Sequence, residues 1–507
     1  MALLYLGTLC LCAACTQDRA TPPGYVVVGL DNGPITLDPR FATDATASQI
    51  GDLLFDGLTR LDDQSRRVPQ LALSWDNPDA QTYVFHLQEG FQFADGQPVT
   101  ASDVKATYDS VLDPRTHSPK RQALEAIEQI EVPDPLTIRF RLRYPLAPFL
   151  NETGLGTLPA RQVAAAPTSA LARPQGSGPF RLQEFTPDER VVAVRNRTYP
   201  LGAPQIAGVV FTVVPDTVTR LLELKRGTLD LVQNAIEPDS IAWLGKQPGI
   251  AVATAAGTTF QYLGINLRDP QLADVRVRRA IAHAIDREAI VKTILKGLAT
   301  VATGLLPPTH WAYSADGPTY EYNPKRAKQL LDEAGYPDPD GDGPLLRFRL
   351  SYKTTTVELR RRIAEVVQEQ LARVGIALDV RSYEWATFYN DVRRGNFQLY
   401  SLAWVGIEDP DIYYLTCHSS QVPPVGSNRG YFQEETIDLL TAAARRTLDM
   451  DERRRLYGEV QKRVAQLLPV IPLWWVTNVA AMNQRLKGFE LRPNGSYSSL
   501  KDVWIEE

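Results

Sequence analysis

Residues 91–104 read "FQFADGQPVTASDV" and place a predicted strand region directly before a helix start. They end an alternation of apolar and polar residues that begins at residue 82 and is broken by turn signals, which predicts a hairpin or small sheet. Thr100 and Asp103 match a capping box, so the spacing predicts a helix over "ASDVKATYDSVL", residues 101–112. A sheet followed at once by a capped helix indicates a mixed α/β protein.

The same order of elements continues on both sides of this stretch. Upstream, "GYVVVGL" (24–30) predicts a strand that ends in the loop "DNGPITLDPR" (31–40). Downstream, "DTVTRLLELKRGTLDLV" (216–232) predicts a helix, a glycine turn and a strand, and "NFQLYSLAWVG" (396–406) predicts another strand. Further helices are predicted at Val275–Leu295, from Asn323 and Pro324 to Gly335, at Val357–Val374 and after Asp449.

Length and charge limit what the chain can be. A chain of 507 residues is too long for one hydrophobic core, so two or three domains are expected. The 44% hydrophobic and 22% charged residues are ordinary for a folded soluble protein. A net charge of −5 without a basic run argues against nucleic acid as the main partner, because phosphate binding needs a basic face.

An apolar stretch at the start predicts export. Residues 2–14, "ALLYLGTLCLCAA", are too few to span a bilayer but suit the apolar part of a signal peptide. Ala13 and Ala14 directly precede Cys15, which resembles the lipobox of bacterial lipoproteins, although Cys12 stands where leucine is usual. We expect residues 1–15 to be a lipoprotein signal peptide ending at the lipidated Cys15, and residues 16–24 to be a tether. An ordinary cleaved signal is the alternative.

Cysteine usage excludes a disulfide framework. Three of the four cysteines lie in the leader, and Cys417 is the one in the body of the chain. Its neighbour His418 suggests an activated thiol, since an imidazole can lower a thiol pKa. No glycine-rich elbow accompanies the pair, and adjacent side chains rarely face each other, so a structural role is predicted.

Metal sites are not predicted. The five histidines are scattered without ligand spacing. "DPDGDGP" (338–344) copies the first half of a calcium loop, but Arg349 stands at the twelfth position, where a bidentate acid is required. A solvated turn is the interpretation that we favour.

A second stretch, "AWVGIEDPDIYY" (403–414), carries the candidate chemistry. It falls at the carboxyl end of a predicted strand, where ligands gather in open α/β sheets. Glu408, Asp409 and Asp411 suggest an acid/base set, but three acids around one proline cannot easily flank a substrate. Contact with a cationic ligand group and capping of a helix near Asp411 are equally supported.

Tryptophans and tyrosines are dense in the second half of the chain: Trp385, Trp404, Trp474, Trp475, Tyr383, Tyr389, Tyr413 and Tyr414. Aromatic residues at such density usually form core. Several of these stand in predicted loops beside polar residues, which is how an apolar pocket with a few polar groups is built.

A set of motifs, taken in order, resembles one family. Besides residues 91–104 they include "LFDGLTRLD" (54–62), "GSGPFRL" (176–182), "DVRVRRAIAHAID" (274–286) and "PVIPLWW" (469–475). Together they resemble the family 5 extracellular solute-binding proteins, which serve ABC importers of peptides, nickel complexes and related solutes. The motifs at 91–104 and 274–286 are the most specific.

The resemblance implies an α/β, three-lobed fold of the periplasmic binding protein type (class II, peptide-binding) with a hinged ligand cleft. The first lobe is expected to comprise residues 25–57, 175–257 and 480–507, the second lobe residues 58–174, and the third lobe residues 258–479. The ligand is expected between the first and third lobes, which close over it.

The matching segments also imply a set of cleft residues: Asn32, Ser177, Gly178, Tyr262, Asn266, Trp385, Trp404 and Asp409. In peptide-binding members of the family, an aspartate three residues after the matching tryptophan pairs with the α-ammonium of the peptide. Here that position is Ile407. Either Asp409 replaces the aspartate or the ligand lacks a free N-terminus.

The hypothesis from the sequence is a monomeric, lipid-anchored receptor in the periplasm or cell envelope. It captures a di- or oligopeptide and delivers it to an inner-membrane ABC permease and its ATPase, without cofactor, metal or covalent chemistry. A non-peptide solute (a metal chelate, haem, glutathione or an oligosaccharide) is the alternative ligand. A secreted hydrolase that uses Asp409 or Cys417 with His418, and a sensory or chaperone role, are alternatives from other classes.

Overall fold

The structure is a computed structural model that describes residues 23–341 and 343–506. The predicted signal peptide, the lipidation site Cys15 and residues 16–22 of the tether lie outside the described residues.

Strands and helices alternate along the chain. The strands are β1 Tyr25–Leu30, β2 Thr59–Leu61, β3 Arg67–Pro69, β4 Ala72–Asp79, β5 Thr82–Leu87, β6 Ile127–Asp134, β7 Thr137–Leu142, β8 Phe180–Thr186, β9 Arg190–Arg195, β10 Gly208–Val213, β11 Leu231–Gln233, β12 Ile250–Ile265, β13 Ala299–Val301, β14 Phe348–Thr355, β15 Ile376–Tyr383, β16 Leu399–Trp404, β17 Val470–Asn483, β18 Leu486–Lys487 and β19 Trp504–Ile505. The helices are α1 Ala45–Leu54, α2 Ala101–Leu112, α3 Phe149–Glu152, α4 Ala160–Ala165, α5 Thr217–Arg226, α6 Pro238–Leu244, α7 Val275–Ala284, α8 Arg287–Thr293, α9 Pro324–Glu333, α10 Glu358–Ala372, α11 Trp385–Arg394, α12 Ile412–Cys417, α13 Glu435–Arg446 and α14 Met450–Leu467.

One large mixed sheet runs through the molecule in the order β15-β14-β16-β12-β17-β11-β1-β10-β9-β8, with β13 paired to β17. β1 lies parallel between β10 and β11. Five of its six residues are buried, as a strand covered on both faces requires. A separate antiparallel sheet has the order β4-β5-β7-β6. The hairpin or small sheet predicted within residues 82–99 forms only in part. β5 is a strand of this sheet, but its partners are β4 and β7, and residues 91–99 contain only a single bridge between Gln92 and Pro98.

The predicted capping box is confirmed at the start of α2. The backbone N–H of Thr100 donates to Asp103 Oδ2 at 2.9 Å. The helix predicted over Val275–Leu295 is instead two helices, α7 and α8. Ile285 is extended between them, and the carboxylate of Asp286 accepts a hydrogen bond from the N–H of Ala289 at 2.8 Å. A capping aspartate starts a new helix there, so the apolar periodicity continues across a break.

The hydrophobic interior falls into three groups along the chain. One group is built mainly from residues 58–155, a second from residues 26–252 and 480–503, and a third from residues 260–475. Leu158 and Val163, in the predicted second lobe, pack in the second group. The lobe boundaries stay a prediction, and "first", "second" and "third lobe" below mean the predicted ranges.

With these boundaries, the chain passes between the first and third lobes twice, once in β12 and once in β17. The two strands are antiparallel partners from Ile250 to Gly264. At the crossing Ala256 pairs with Thr477, and the next pair is Phe260 with Trp475. β12 thus has more residues than β17 between the two pairs, which defines a β-bulge in β12. The bulge bends the ladder where the two lobes join.

Candidate functional site

The predicted pocket stretch begins where β16 ends, next to the bulge. Trp404 is the last residue of β16 and pairs with Phe260 of β12, the first paired residue after the bulge. The side chain of Trp404 is half-buried, and the next residue, Val405, is 62% exposed. The chain therefore leaves the sheet at the lobe crossing and turns outward.

An arginine that the sequence analysis missed organises this corner. The guanidinium carbon of Arg429 lies 4.7 Å from the ring centroid of Trp404 and 5.6 Å from that of Tyr389. Its Nη1 donates to the hydroxyl of Tyr262 at 3.0 Å, and its Nη2 to the hydroxyl of Tyr389 at 3.4 Å. Arg429 thus joins two predicted site residues, Tyr262 and Trp404. Its only sequence signal is a single cation within "VGSNRGYF", residues 425–432.

Neighbouring backbone contacts hold Arg429 in place. The Asn428 amide donates to the carbonyl of Phe432 at 2.7 Å, and its oxygen accepts from the N–H of Phe432 at 2.9 Å. Gly430 lies so close to β12 that a Cβ there would stand 2.7 Å from the carbonyl of Ile265. Asn428 therefore closes the loop on itself, and Gly430 holds it against β12.

The second predicted tryptophan forms the outer wall. Trp385 opens α11 and stacks on Tyr389 one turn later, with ring centroids 5.3 Å apart and planes at 11°. Trp385 is 51% exposed. We define the aromatic pocket as Tyr262, Trp385, Tyr389, Trp404 and Arg429.

The candidate ammonium partner, Asp409, already has a cation. Arg453 of α14 donates to both carboxylate oxygens, Nη2 to Oδ1 at 2.6 Å and Nη1 to Oδ2 at 2.9 Å. Burial raises the pKa of Asp409, but the charge and hydrogen bonds of Arg453 outweigh burial and leave the pKa below its ordinary value. Asp409 is ionised and its charge is compensated within the protein. Its contact with a ligand stays a prediction.

The other two acids of the stretch have separate partners. α12 begins at Ile412, directly after Asp411, at the predicted position. The Asp411 carboxylate does not cap it; Oδ1 lies 3.1 Å from Arg445 Nε and accepts a hydrogen bond from the Tyr457 hydroxyl at 3.1 Å. Glu408 Oε2 accepts a hydrogen bond at 2.9 Å from Arg67 Nη2, in the second lobe.

Glu408 belongs to a junction cluster of ionisable residues from all three lobes: Asp52, Arg67, Lys120, Glu152 and Glu408. Glu408 keeps 41% of its side-chain surface, yet burial raises its pKa. Asp52 is likewise exposed, and burial raises its pKa to about 6. The junction cluster therefore brings ionisable side chains of the three predicted lobes close together.

Ser177 and Gly178 lie at a different place, against the end of α1. Ser177 Oγ donates to Asp56 Oδ2 at 2.8 Å, and the N–H of Gly178 donates to the carbonyl of Leu54 at 3.0 Å. A Cβ on Gly178 would stand 2.6 Å from the carbonyl of Leu53. Both residues therefore join two segments of the predicted first lobe, 25–57 and 175–257, and ligand contact at either stays a prediction.

Asn266 and Asn32 lie outside the aromatic pocket. Asn266 follows β12, and its amide donates to the carbonyls of Phe397 at 2.8 Å and Gly395 at 3.2 Å. It therefore holds the turn before β16. Asn32 is exposed in the loop after β1, near Ile35, whose side chain is 79% exposed. The structure thus brings together Tyr262, Trp385 and Trp404 but not the other predicted residues.

The cysteine and histidine pair does not form a nucleophile. Cys417 is buried, and burial raises the pKa of its thiol to about 12, so it is protonated at neutral pH. Nδ1 of His418 accepts a hydrogen bond from the N–H of Ser420 at 3.1 Å. Among the described residues, no three His, Cys, Asp or Glu side chains come together as a metal site would require. Every helix in the described part of the chain is too short or too polar to span a membrane.

Comparison with known proteins agrees with this architecture. The sequence pattern of "Bacterial extracellular solute-binding proteins, family 5 Middle" matches residues 66–423. The chain is 28% identical to the oligopeptide-binding protein AppA of Bacillus subtilis, over 95% of this chain and 92% of AppA. It is 29% identical to heme-binding protein A of Haemophilus influenzae, over 97% of this chain and 94% of that protein. The solved structure of B. subtilis AppA with a nonapeptide superposes with a TM-score of 0.80 at 27% identity, over 95% of this chain and 99% of that one.

Proposed function

Since the chain belongs to the bacterial extracellular solute-binding proteins of family 5, we propose that it captures peptides outside the inner membrane and delivers them to an ABC permease and its ATPase. Members of this family are transport components that work outside the cytoplasm. The chain is therefore a binding protein, and we propose that it makes and breaks no covalent bond in its ligand.

The observation that carries this proposal is an unpaired strand edge beside the aromatic pocket. β14 pairs with β16 only at Leu399 and Tyr400. On that side, residues 401–404 have no strand partner in the part of the chain that the structure describes. Extended peptides bind such edges through main-chain hydrogen bonds while their side chains enter flanking pockets. Trp404 ends this edge and supplies the apolar surface for one such side chain.

The crossover between the lobes supplies the movement that capture requires. Two paired strands and one bulge connect the first and third lobes, so a small change at the bulge rotates one lobe against the other. Closure is driven by the higher affinity of the closed form for the ligand. The peptide is thereby enclosed between the junction cluster and the aromatic pocket.

The predicted cleft residues take different parts in this proposal. Trp385 and Trp404 contact the peptide, and Tyr262 orients Arg429. The charge of Asp409 is already balanced by Arg453 at 2.6 and 2.9 Å, and its side chain is 13% exposed, which opposes a contact with a peptide ammonium.

We further propose that a lipid on Cys15 holds a monomer at the membrane. The residues before Cys15 support this, because small residues precede it and an apolar run leads to it. Mass spectrometry of the N-terminal peptide from membrane-bound protein tests the anchor. The expected mass is that of a diacylglyceryl cysteine, and an unmodified residue after a different cleavage site would refute it.

Titration calorimetry of the purified chain, first unfolded and refolded to remove carried ligand, tests peptide capture. Defined peptides of two to eight residues are the probes, with haem, reduced glutathione, nickel–histidine and a maltooligosaccharide in parallel. We expect at least one peptide to bind with a Kd of about 10 µM or lower. If only a non-peptide probe binds, the proposed ligand is that solute rather than a peptide. Peptide turnover, followed by mass spectrometry of the mixture, would refute a purely binding role.

A non-peptide ligand is the second candidate, and one feature favours it. The stacked faces of Trp385 and Tyr389 present a flat, partly exposed apolar surface, which suits a planar macrocycle or a sugar ring as well as a peptide side chain. The similarity to a haem-binding protein supports the same alternative. The parallel titration decides between them.

A further inference from the structure

Arg429 differs from the other buried arginines in the described residues. Two of them have carboxylate partners, since Arg40 pairs with Asp38 and Arg453 with Asp409. The other three donate mainly to backbone carbonyls: Arg220 to Val214, Pro215 and Ala235; Arg278 to Leu272, Ala273 and Leu467; and Arg287 to Ala302, Tyr320 and Pro472. The guanidinium of Arg429 instead donates to the two tyrosine hydroxyls already described and lies against the ring of Trp404.

The charge of Arg429 therefore has no counter-ion in the described part of the chain. Its residue surface is 8% exposed, and the titratable groups that face its guanidinium are the hydroxyls of Tyr262, Tyr389 and Tyr400. A guanidinium has five N–H donors, and hydrogen bonds to two hydroxyls leave three. A buried cation without a carboxylate costs free energy unless a partner is supplied from outside the chain.

The surroundings of Arg429 are those of a built anion site. The ring of Trp404 lies 4.7 Å from the guanidinium carbon, and Tyr389 accepts a hydrogen bond from Nη2 through its hydroxyl, so aromatic side chains border the guanidinium on two sides. The hydroxyl of Tyr262 is held by both Arg429 and, at 3.4 Å, by the hydroxyl of Tyr400. The planar arrangement of N–H donors matches a carboxylate, which accepts two parallel hydrogen bonds.

We propose that Arg429 is the carboxylate-binding subsite of the cleft and that the ligand places an anionic group between Trp404 and Tyr389. This deepens the proposed function and rests on it. The anchoring charge at the aromatic pocket is then a cation of the protein rather than the anion Asp409, which Arg453 neutralises. The shared chemistry is a carboxylate, and its source is either the C-terminus of a peptide or an acidic side chain.

The test compares matched ligands on the refolded wild-type chain. A peptide that binds in the calorimetric screen is prepared with a free C-terminus, with an amidated C-terminus, and with each Glu or Asp replaced by Gln or Asn. We expect one of the carboxylate removals to weaken binding about 30-fold and the others to have little effect. The peptide form that binds more weakly identifies which carboxylate of the ligand is bound.

The variant Arg429→Gln completes the comparison. It is expected to weaken the carboxylate ligand about 30-fold more than it weakens the carboxylate-free ligand. Arg429→Lys keeps the charge but not the planar donors, so it should give an intermediate affinity. The control Arg373→Gln removes an exposed cation of α10 in the same lobe and should change neither affinity.

Two outcomes overturn the inference in different ways. If the wild type binds every form of the peptide equally, Arg429 does not bind a carboxylate, although peptide capture still stands. If the wild type binds none of the peptides, the inference fails together with the proposed function. The comparison of peptide forms uses only the wild type, so it can still refute the inference if Arg429→Gln does not fold.

Discussion

Arg453 and Asp409 form a bidentate ion pair, in which Nη1 lies 2.9 Å from Oδ2 and Nη2 lies 2.6 Å from Oδ1. The side chains are 4% and 13% exposed. The pair links the loop after β16 to α14, so the loop that borders the pocket is fastened to the core of the third lobe. The acid that sequence reasoning offered to a ligand therefore has a structural partner.

Breaking this pair from one side is expected to destabilise the protein. Asp409→Asn keeps an acceptor for the N–H of Asp411, which donates to Oδ1 at 2.8 Å, but leaves Arg453 as a buried cation. The free energy of unfolding should fall by about 3–5 kcal/mol, measured by urea unfolding. The double variant Asp409→Asn with Arg453→Met should recover a large part of this loss.

The same variant tests the predicted ammonium contact. If Asp409 binds the N-terminus of a peptide, Asp409→Asn weakens a peptide with a free N-terminus more than its N-acetylated form. We expect the two forms to lose equal affinity, because Arg453 already balances the charge of the carboxylate, whose side chain is 13% exposed. A selective loss for the free N-terminus would restore Asp409 as the ligand's partner.

The stability of the wild type should depend on pH through Asp56. Burial raises the pKa of Asp56 from 3.8 to about 6, although Ser177, Tyr199 and Gln70 donate hydrogen bonds to it. A raised pKa means that the folded protein holds this proton more tightly than the unfolded chain. The contribution of Asp56 is therefore fully present below pH 3.8 and is lost as the pH rises through about 6, by about 3 kcal/mol.

The measurement is the unfolding temperature of the wild type and Asp56→Asn between pH 4 and 7. An amide does not titrate, so Asp56→Asn should gain stability relative to the wild type as the pH rises. Asp451→Asn changes a carboxylate whose side chain is 90% exposed and serves as the control. A constant difference between the wild type and Asp56→Asn across this range would contradict the prediction.

Gly257 is expected to be needed at the lobe crossing. A Cβ at this position would stand 2.3 Å from the carbonyl of Val476 and 3.0 Å from Oδ1 of Asn478, both on β17. Gly257→Ala must push the two crossing strands apart and should cost about 1–3 kcal/mol of stability. X-ray scattering should also show a smaller change in radius of gyration when ligand is added.

A matched control is Gly245→Ala, whose added methyl group would have its nearest neighbour at an ordinary distance of 3.6 Å. It should leave both stability and the ligand-induced change in shape close to those of the wild type. Equal behaviour of the two variants would show that the crossing tolerates a side chain.

Trp385 should contribute to binding without contributing much to folding. It is 51% exposed and stacks only partly on the protein, through Tyr389 and Phe388. Trp385→Ala is expected to weaken the peptide identified by calorimetry about 10-fold, with an unfolding temperature near that of the wild type. Trp243→Ala removes another partly exposed tryptophan, in the first lobe, and should leave affinity unchanged.

Local signals predicted local structure well. The capping box at Thr100 and the start of α14 after Asp449 depend on residues three positions apart, and both form as predicted. The two helices at 275–293 were predicted as one because apolar periodicity does not report a capping aspartate inside it. Helix starts that depend on residues three positions apart can therefore be predicted from the sequence, whereas a break inside an apolar periodicity was missed.

The site depended on contacts that no local pattern contains. Arg453 reaches Asp409 from 44 positions away, and Arg429 reaches Tyr262 from 167 positions away. The resemblance predicted a set of cleft residues, and three of them meet in the aromatic pocket. It could not indicate which charges are neutralised inside the protein, because that depends on the packing of separate elements.

The position of β17 sets the order in which this protein can be completed. β17 lies in the interior of the large sheet, between β11 and β12, yet it follows both of them in the chain. Until β17 has been synthesised and exported, the edges of β11 and β12 that pair with it are unpaired. Unpaired strand edges can pair with other chains and cause aggregation. A chaperone that keeps the nascent polypeptide extended until β17 has emerged would prevent this.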